Sequence, residues 1–211
     1  MSAALAGLIE SLADNKAAMG RRYGEWAVSA PTLESGVAAA AMAQDELGHA
    51  RSTYPLLKQL GQARDDDDDH MDPRGCIPLL ADPLPDWETF VAVNLVVDGM
   101  LTAFVEAAQD SSFTQLQQRA RKILQEERSH AAHAHAWTRR LARDPGGADR
   151  FGAALRTCWD QIASWPGTDE DYATMTADGT LAGSPDELRR RVTGSVSATL
   201  SDTPLTAIEL E

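Results

Sequence analysis

The sequence predicts an all-α fold, a bundle of two helical hairpins joined by a long crossover, and three observations carry that expectation. Alanine, leucine and long polar side chains dominate, while Phe, Trp and Tyr supply only 6% of 211 residues, a balance that favours helix. No stretch alternates apolar and polar residues for long, as a half-buried strand would. Apolar residues instead recur at steps of three and four, on both sides of a Pro- and Asp-rich interruption between residues 62 and 85.

The first helix is expected over about residues 3–27, stopping ahead of Ser29-Ala30-Pro31 because the residue before a proline avoids helical angles. A second should run from about 32 to 60, kinked in its last turns by Pro55 and ended by Gly61. The aspartates Asp65 to Asp69, then Asp72-Pro73-Arg74-Gly75, read as a solvated loop, long enough to be a crossover between helix pairs. Asp86 is placed to cap a third helix reaching about residue 110. Ser112-Phe113-Thr114-Gln115 has capping-box spacing and should open a fourth helix to about 143. Short loops make helices one and two, and three and four, antiparallel neighbours. Further helices are expected over about 148–165 and from Ser184-Pro185-Asp186-Glu187 onward, with a frayed tail after Ser201. The organisation expected is one domain over residues 1–211, its bundle core at about 3–143 and additional helices at about 148–200.

Composition excludes several functions. With 43% hydrophobic residues the chain can bury one sizeable core. Its 19 Lys and Arg against 32 Asp and Glu give a net charge of -13, which disfavours nucleic acid and anionic membranes as partners. Cys76 and Cys158 form no CxxC pair, so neither a disulfide framework nor a thiolate zinc site is encoded. The N-terminus carries no basic region with an apolar signal core, and the apolar stretch from Phe90 to Ala108 is interrupted by Asn94, Asp98 and Glu106. A soluble, cytoplasmic protein is expected.

The chemistry sits in a motif that occurs twice, Glu46-Leu47-Gly48-His49 in helix two and Glu127-Arg128-Ser129-His130 in helix four. Residues three apart on a helix share a face, so each motif aims a carboxylate and an imidazole at one point. The fourth-helix stripe reads Leu116, Ala120, Ile123, Glu127, His130, Ala134, Trp137, Leu141, and the second reads Ala39, Met42, Glu46, His49, Thr53, Leu56, Leu60. In both, the ionisable pair interrupts an apolar face that should point inward. Helix three places Asp98 on its own stripe of Trp87, Val91, Asn94, Leu101, Val105 and Ala108. Uncompensated buried carboxylates cost more than a domain can sustain, and no Lys or Arg lies on these three stripes. Two divalent metal ions would compensate them. Oxygen-rich ligation with one histidine per ion suits iron, with manganese as the other candidate. His133 and His135 are read as packing or supporting groups, His70 as solvated, and Trp26, Met42, Met100 and Trp137 as core or pocket lining.

These residues resemble a known family, the ferritin-like subunits of bacterial phenylacetyl-CoA epoxidase, the phenylacetic acid degradation monooxygenase. Ala30-Pro31-Thr32-Leu33, Gln44-Asp45-Glu46-x-Gly48-His49 and Leu60-Gly61 resemble the first hairpin of its catalytic subunit. Val96-Val97-Asp98-Gly99 and Glu126-Glu127-x-x-His130 resemble its third- and fourth-helix motifs. Ala13-Asp14-Asn15 and Tyr23-Gly24-Glu25-Trp26 are closer to the companion structural subunit, which has lost its metal ligands. The resemblance implies a ferritin-like bundle and a di-iron site, and carries over as ligands Glu25, Glu46, His49, Asp98, Glu127 and His130. Glu25 lies one residue off the helix-one stripe of Leu5, Leu8, Leu12, Met19 and Trp26, so its ligation requires a local bulge in that helix.

The function so expected is an O2-activating non-haem di-iron monooxygenase or epoxidase of phenylacetic acid catabolism, acting on an aromatic or acyl-CoA-type substrate, with Glu46 and Glu127 as candidate catalytic residues. The expected partners are O2, a small organic substrate entering beside Met42, Met100 and Leu101, and an electron-donating reductase, since no flavin, nicotinamide or iron–sulfur motif is present. Association as a homodimer, or with a related ferritin-like subunit, is compatible with this. Two rival readings remain: a non-catalytic structural subunit of such a complex, and a ferroxidase-type protein using the same ligands.

Overall fold

The computed structural model describes residues 3–62 and 75–210; the aspartate run and His70 lie outside the described residues. Helix is the regular structure throughout, with no strand among the described residues. The protein is all-α and ferritin-like, its bundle made by α1 (Ala3–Trp26), α2 (Leu33–Thr53), the segment α4 (Trp87–Ala92) to α5 (Asp98–Ala107), and α6 (Thr114–Ala142).

Paired side chains fix the helix directions. Ala27 lies against Gly36 and Asp14 against Tyr54, with Lys16 and Glu46 between, so α1 and α2 are antiparallel. Trp87 meets Trp137, Asp98 meets His130 and Asp110 meets Arg121, so α4–α5 and α6 are antiparallel as well. The first hairpin packs closely because Gly20 has no side chain: a Cβ there would stand 2.7 Å from the Leu47 side chain. Thr32 caps α2 by accepting from the Ser35 N–H, and Asp86 caps α4 by accepting from Thr89 N–H at 2.7 Å. Pro55 opens the short helix α3 (Pro55–Gln59), so the expected kink becomes a break, and Gly61 ends that hairpin at φ +77.

Five expectations are corrected. The third helix is not uniform: Val93–Val97 forms a π turn between α4 and α5, a feature found mostly at functional sites. Helix one, where ligation by Glu25 requires a bulge, is α-helical without interruption. The capping box at Ser112 does not form, because the Ser112 hydroxyl donates to Asp178 O at 2.9 Å and its N–H to Gly179 O. Ser112 thus ties the loop to α8 (Asp169–Ala177), a helix absent from the expected set although Thr168 and Asp171 make a true capping box before it. Beyond α7 (Ala148–Ile162) and α9 (Pro185–Leu200), the tail does not fray: Thr203 is buried and Leu205 and Ile208 pack against the core beside Gly152.

The span Trp87–Ala107 is long and apolar enough to cross a membrane by length and composition, but 78% of an 18-residue window within it is buried inside the bundle. Its apolarity is accounted for by Phe90, Val91, Val93, Val96, Val97, Met100 and Leu101, all fully buried where this span packs against α6 and α7.

Candidate metal centre and its resident cation

Five side chains singled out from the sequence converge at the bundle's midpoint. Glu46 and His49 come from α2, Asp98 from the first residue after the π turn, and Glu127 and His130 from α6, and all five are buried. Glu46, Asp98, Glu127 and His130 each offer one donor atom, all within 4.8 Å of one another. The spacing argument holds locally: residues three apart on α2 and α6 present both groups of each motif to the same centre.

Glu25 is not among them. It is exposed at the end of α1 and pairs with Arg22 at 3.2 Å, because an unbroken α-helix keeps it one position off the buried stripe. Met42, Met100 and Leu101 are buried packing residues. The cavity that borders Asp98 and Glu127, about 170 Å³, is lined instead by Asn94, Thr102, His135, Arg191 and Ser195.

The residue that sequence reasoning misses is Lys16. Its ammonium stands between three carboxylates, 2.6 Å from Asp98 Oδ1, 2.6 Å from Glu127 Oε1 and 3.1 Å from Glu46 Oε1, and is itself fully buried. A signal for it does exist. The helix-one stripe steps from Leu12 to Met19, and the position four after Leu12, where the next inward residue belongs, is Lys16.

Asp45 and Glu126, the acids preceding each motif glutamate, complete the arrangement crosswise. His49 Nε2 lies 2.8 Å from Glu126 Oε2, and His130 Nε2 lies 3.3 Å from Asp45 Oδ2. The other nitrogen of each ring faces the centre. His130 Nδ1 is 3.2 Å from Glu46 Oε1 and 3.3 Å from both Asp98 Oδ2 and Glu127 Oε2, while His49 Nδ1 is 3.4 Å from Glu127 Oε1. Ionised carboxylates only accept hydrogen bonds, so carboxylates on both sides of a ring favour the doubly protonated imidazolium.

The electrostatics agree with that geometry. Burial works to lower the Lys16 pKa, but Asp98, Glu127 and Glu46 together hold it well above its ordinary value. Burial likewise opposes charging His49, yet the Glu127 and Glu46 carboxylates beside its Nδ1 raise it to about 9; His130 is raised further by Asp98, Glu127 and Glu46. Burial raises each acid. Lys16 reverses this for Glu46, which falls to about 2, and for Glu127, which lies well below its usual range. For Asp98, burial and the neighbouring Glu127 prevail and carry it up to about 6. At neutral pH three carboxylates therefore face one ammonium and two imidazoliums, and the inner cluster is self-neutral.

The donor set is one that could hold a metal ion, but with Lys16 in place it does not fit two irons. An ion bound by the same three oxygens would share their midst with an ammonium, cation against cation. Each imidazolium would first have to give up the proton that faces the centre, and the helix-one carboxylate is elsewhere. Two atoms of the cluster have no aligned hydrogen bond among the described residues, Glu46 Oε2 and His49 Nδ1.

Fold and centre together define a ferritin-like bundle protein with a buried acid–histidine cluster where the four core helices meet. More particularly, the chain belongs to the phenylacetic acid catabolic protein family, whose pattern matches residues 1–209. It is also similar to one of the subunits of 1,2-phenylacetyl-CoA epoxidase from Escherichia coli (strain K12), 26% identical over 202 residues that cover 92% of this chain and 80% of that protein.

Proposed function

We propose that this chain is a non-catalytic, structural subunit of a multi-subunit oxygenase related to phenylacetyl-CoA epoxidase, supporting a separate metal-bearing subunit of the same fold. One observation carries this reading: Lys16 Nζ lies within 3.1 Å of Glu46, Asp98 and Glu127, supplying covalently the positive charge that the buried acids require. The similarity to one subunit of the Escherichia coli epoxidase supports the multi-subunit assembly that both this reading and its rival require. In this role the cluster ties four helices together at their midpoint and holds rigid the bundle that the oxygenase subunit docks against. The partner called for is a related ferritin-like chain, and O2, the organic substrate and the reductase then belong to that chain.

The second reading is the di-iron monooxygenase or epoxidase acting on an aromatic or acyl-CoA-type substrate. What favours it is that Glu46, His49, Asp98, Glu127 and His130 have all been brought to one centre. It requires Lys16 to leave a fully buried position and both histidines to lose a proton.

Metal analysis separates the two. After anaerobic incubation of the purified chain with excess Fe(II) and desalting, the structural reading expects iron well below one equivalent and no charge-transfer absorption on exposure to O2. Two equivalents of retained iron, with an oxo-bridged band lost in Glu46→Ala and Glu127→Ala, would establish the enzyme instead.

A further inference from the structure

Resting on the structural-subunit reading, we infer that the cluster is a latent mononuclear metal site plugged by Lys16, and that truncating this one side chain converts the chain into a binder of one divalent transition-metal ion. The donors are already assembled. Glu46, Asp98, Glu127 and His130 present atoms within 4.8 Å of one another, and donors about 2.1 Å from a common ion stand at most about 4.2 Å apart. The widest-set donors must close by about 0.6 Å or more, a movement that χ adjustments of the carboxylate side chains supply.

The positions of those donors are independently fixed. Asp45 holds His130 from behind through Nε2, the arrangement that orients ligating histidines in metal centres. Glu46 Oε2 is buried, stands 3.6 Å from His49 Nδ1 and has no aligned hydrogen bond among the described residues, so it can turn to an ion without breaking one. Removal of Lys16 leaves three carboxylates against two imidazoliums. An M²⁺ bound through His130 Nδ1 takes the place of any proton on that nitrogen, while Nε2 stays directed at Asp45 Oδ2.

Ligand count limits the site to one ion: the carboxylate that would complete a second coordination shell, Glu25, is exposed and paired with Arg22. Oxygen donors with one imidazole suit Fe(II), Mn(II), Co(II) or Zn(II).

The test uses Co(II), whose visible d–d bands report coordination directly, on the purified wild type, Lys16→Ala and Lys16→Met. Both variants are expected to bind about one equivalent of Co(II), at least about 100-fold more tightly than wild type, the scale set by leaving a buried charge without its partner. Co(II) should also raise their melting temperature and leave that of wild type unchanged. The double variant Lys16→Ala/Glu127→Gln should lose most of the gain. Variants that fold but show no d–d band at millimolar Co(II) overturn the inference, as do variants that stay unfolded at saturating Co(II). Either failure leaves the structural-subunit reading intact if wild type remains metal-free. Equal, tight Co(II) binding by wild type would overturn both.

Discussion

Two successive layers of the same four helices hold their interior together by opposite means. At the midpoint, Lys16, Glu46, His49, Asp98, Glu127 and His130 make a self-neutral ionic layer. Toward the α1–α2 turn, Tyr23, Trp26, Trp87, Phe90, His133 and Trp137 make an aromatic layer in which Trp87 stacks on Phe90 at 4.4 Å and meets Trp137 edge-on at 5.1 Å. His130 and His133, one turn apart on α6, show the contrast most sharply. Three acids hold His130 protonated, whereas burial among Trp87 and Phe90, with the neighbouring His130 charge, drops His133 to about 4. The difference teaches that a buried ionisable residue is read from its helix neighbours together with what faces it across the bundle, and the second set is not written in its own helix.

The largest expected effect comes from unbalancing the ionic layer. Glu127→Leu leaves Lys16 and two imidazoliums facing two acids and should cost about 3–5 kcal/mol, measured by chemical denaturation. Adding Lys16→Met to Glu127→Leu should recover much of that loss, since the remaining charges balance again. In the aromatic layer Phe90→Ala should cost a similar amount, about 3–5 kcal/mol, through the cavity it leaves, but with no single second substitution that restores it. A double-mutant cycle in which Lys16 and Glu127 prove additive would remove the distinction between the layers.

The intermediate effect is a pH dependence. His133 has both ring nitrogens buried without a hydrogen-bond partner among the described residues, and its folded-state pKa of about 4 lies below the ordinary value of 6.5. As pH falls below 6.5 the unfolded chain takes up this proton first, so the stability His133 contributes while neutral is lost between about 6.5 and 4. His133→Leu should therefore flatten the fall in melting temperature between about pH 7 and 5. An unchanged slope would mean that the aromatic layer admits water to this ring.

How much of this is legible in the sequence follows from the same contrast. The four bundle helices, their antiparallel pairing and the inward set of Glu46, His49, Asp98, Glu127 and His130 all derive from periodicity within single helices, which the sequence states openly. Lys16 escapes such a reading because a lysine on an apolar stripe looks like an interruption until its three partners, 30, 82 and 111 residues away, are seen around it. The crosswise pairing of Asp45 with His130 and of Glu126 with His49 is likewise a property of two helices at once. Glu25 enters the ligand set by resemblance and against its own register, and in the fold the register prevails. Ser112 goes to a long-range bond with Asp178 and Gly179 that competes successfully with the local cap.

The smallest effect tests where the aromatic layer meets the surface. Trp137 is half-buried, with Arg140 over its ring at 4.6 Å, and its Nε1–H donates to Ser35 Oγ at 2.9 Å. The same hydroxyl accepts from Thr32 Oγ1 at 3.2 Å, so it links the cap of α2 to α6. Ser35→Ala removes this acceptor but leaves the indole N–H able to reach water, and should cost about 1 kcal/mol, in contrast to the several expected in the ionic layer. Thr32 keeps its capping bond to the Ser35 N–H, which is backbone and survives the substitution. A loss several times larger would mean that the aromatic layer depends on a polar tie as strongly as the ionic layer does, and that the two are not opposite solutions to the same packing problem.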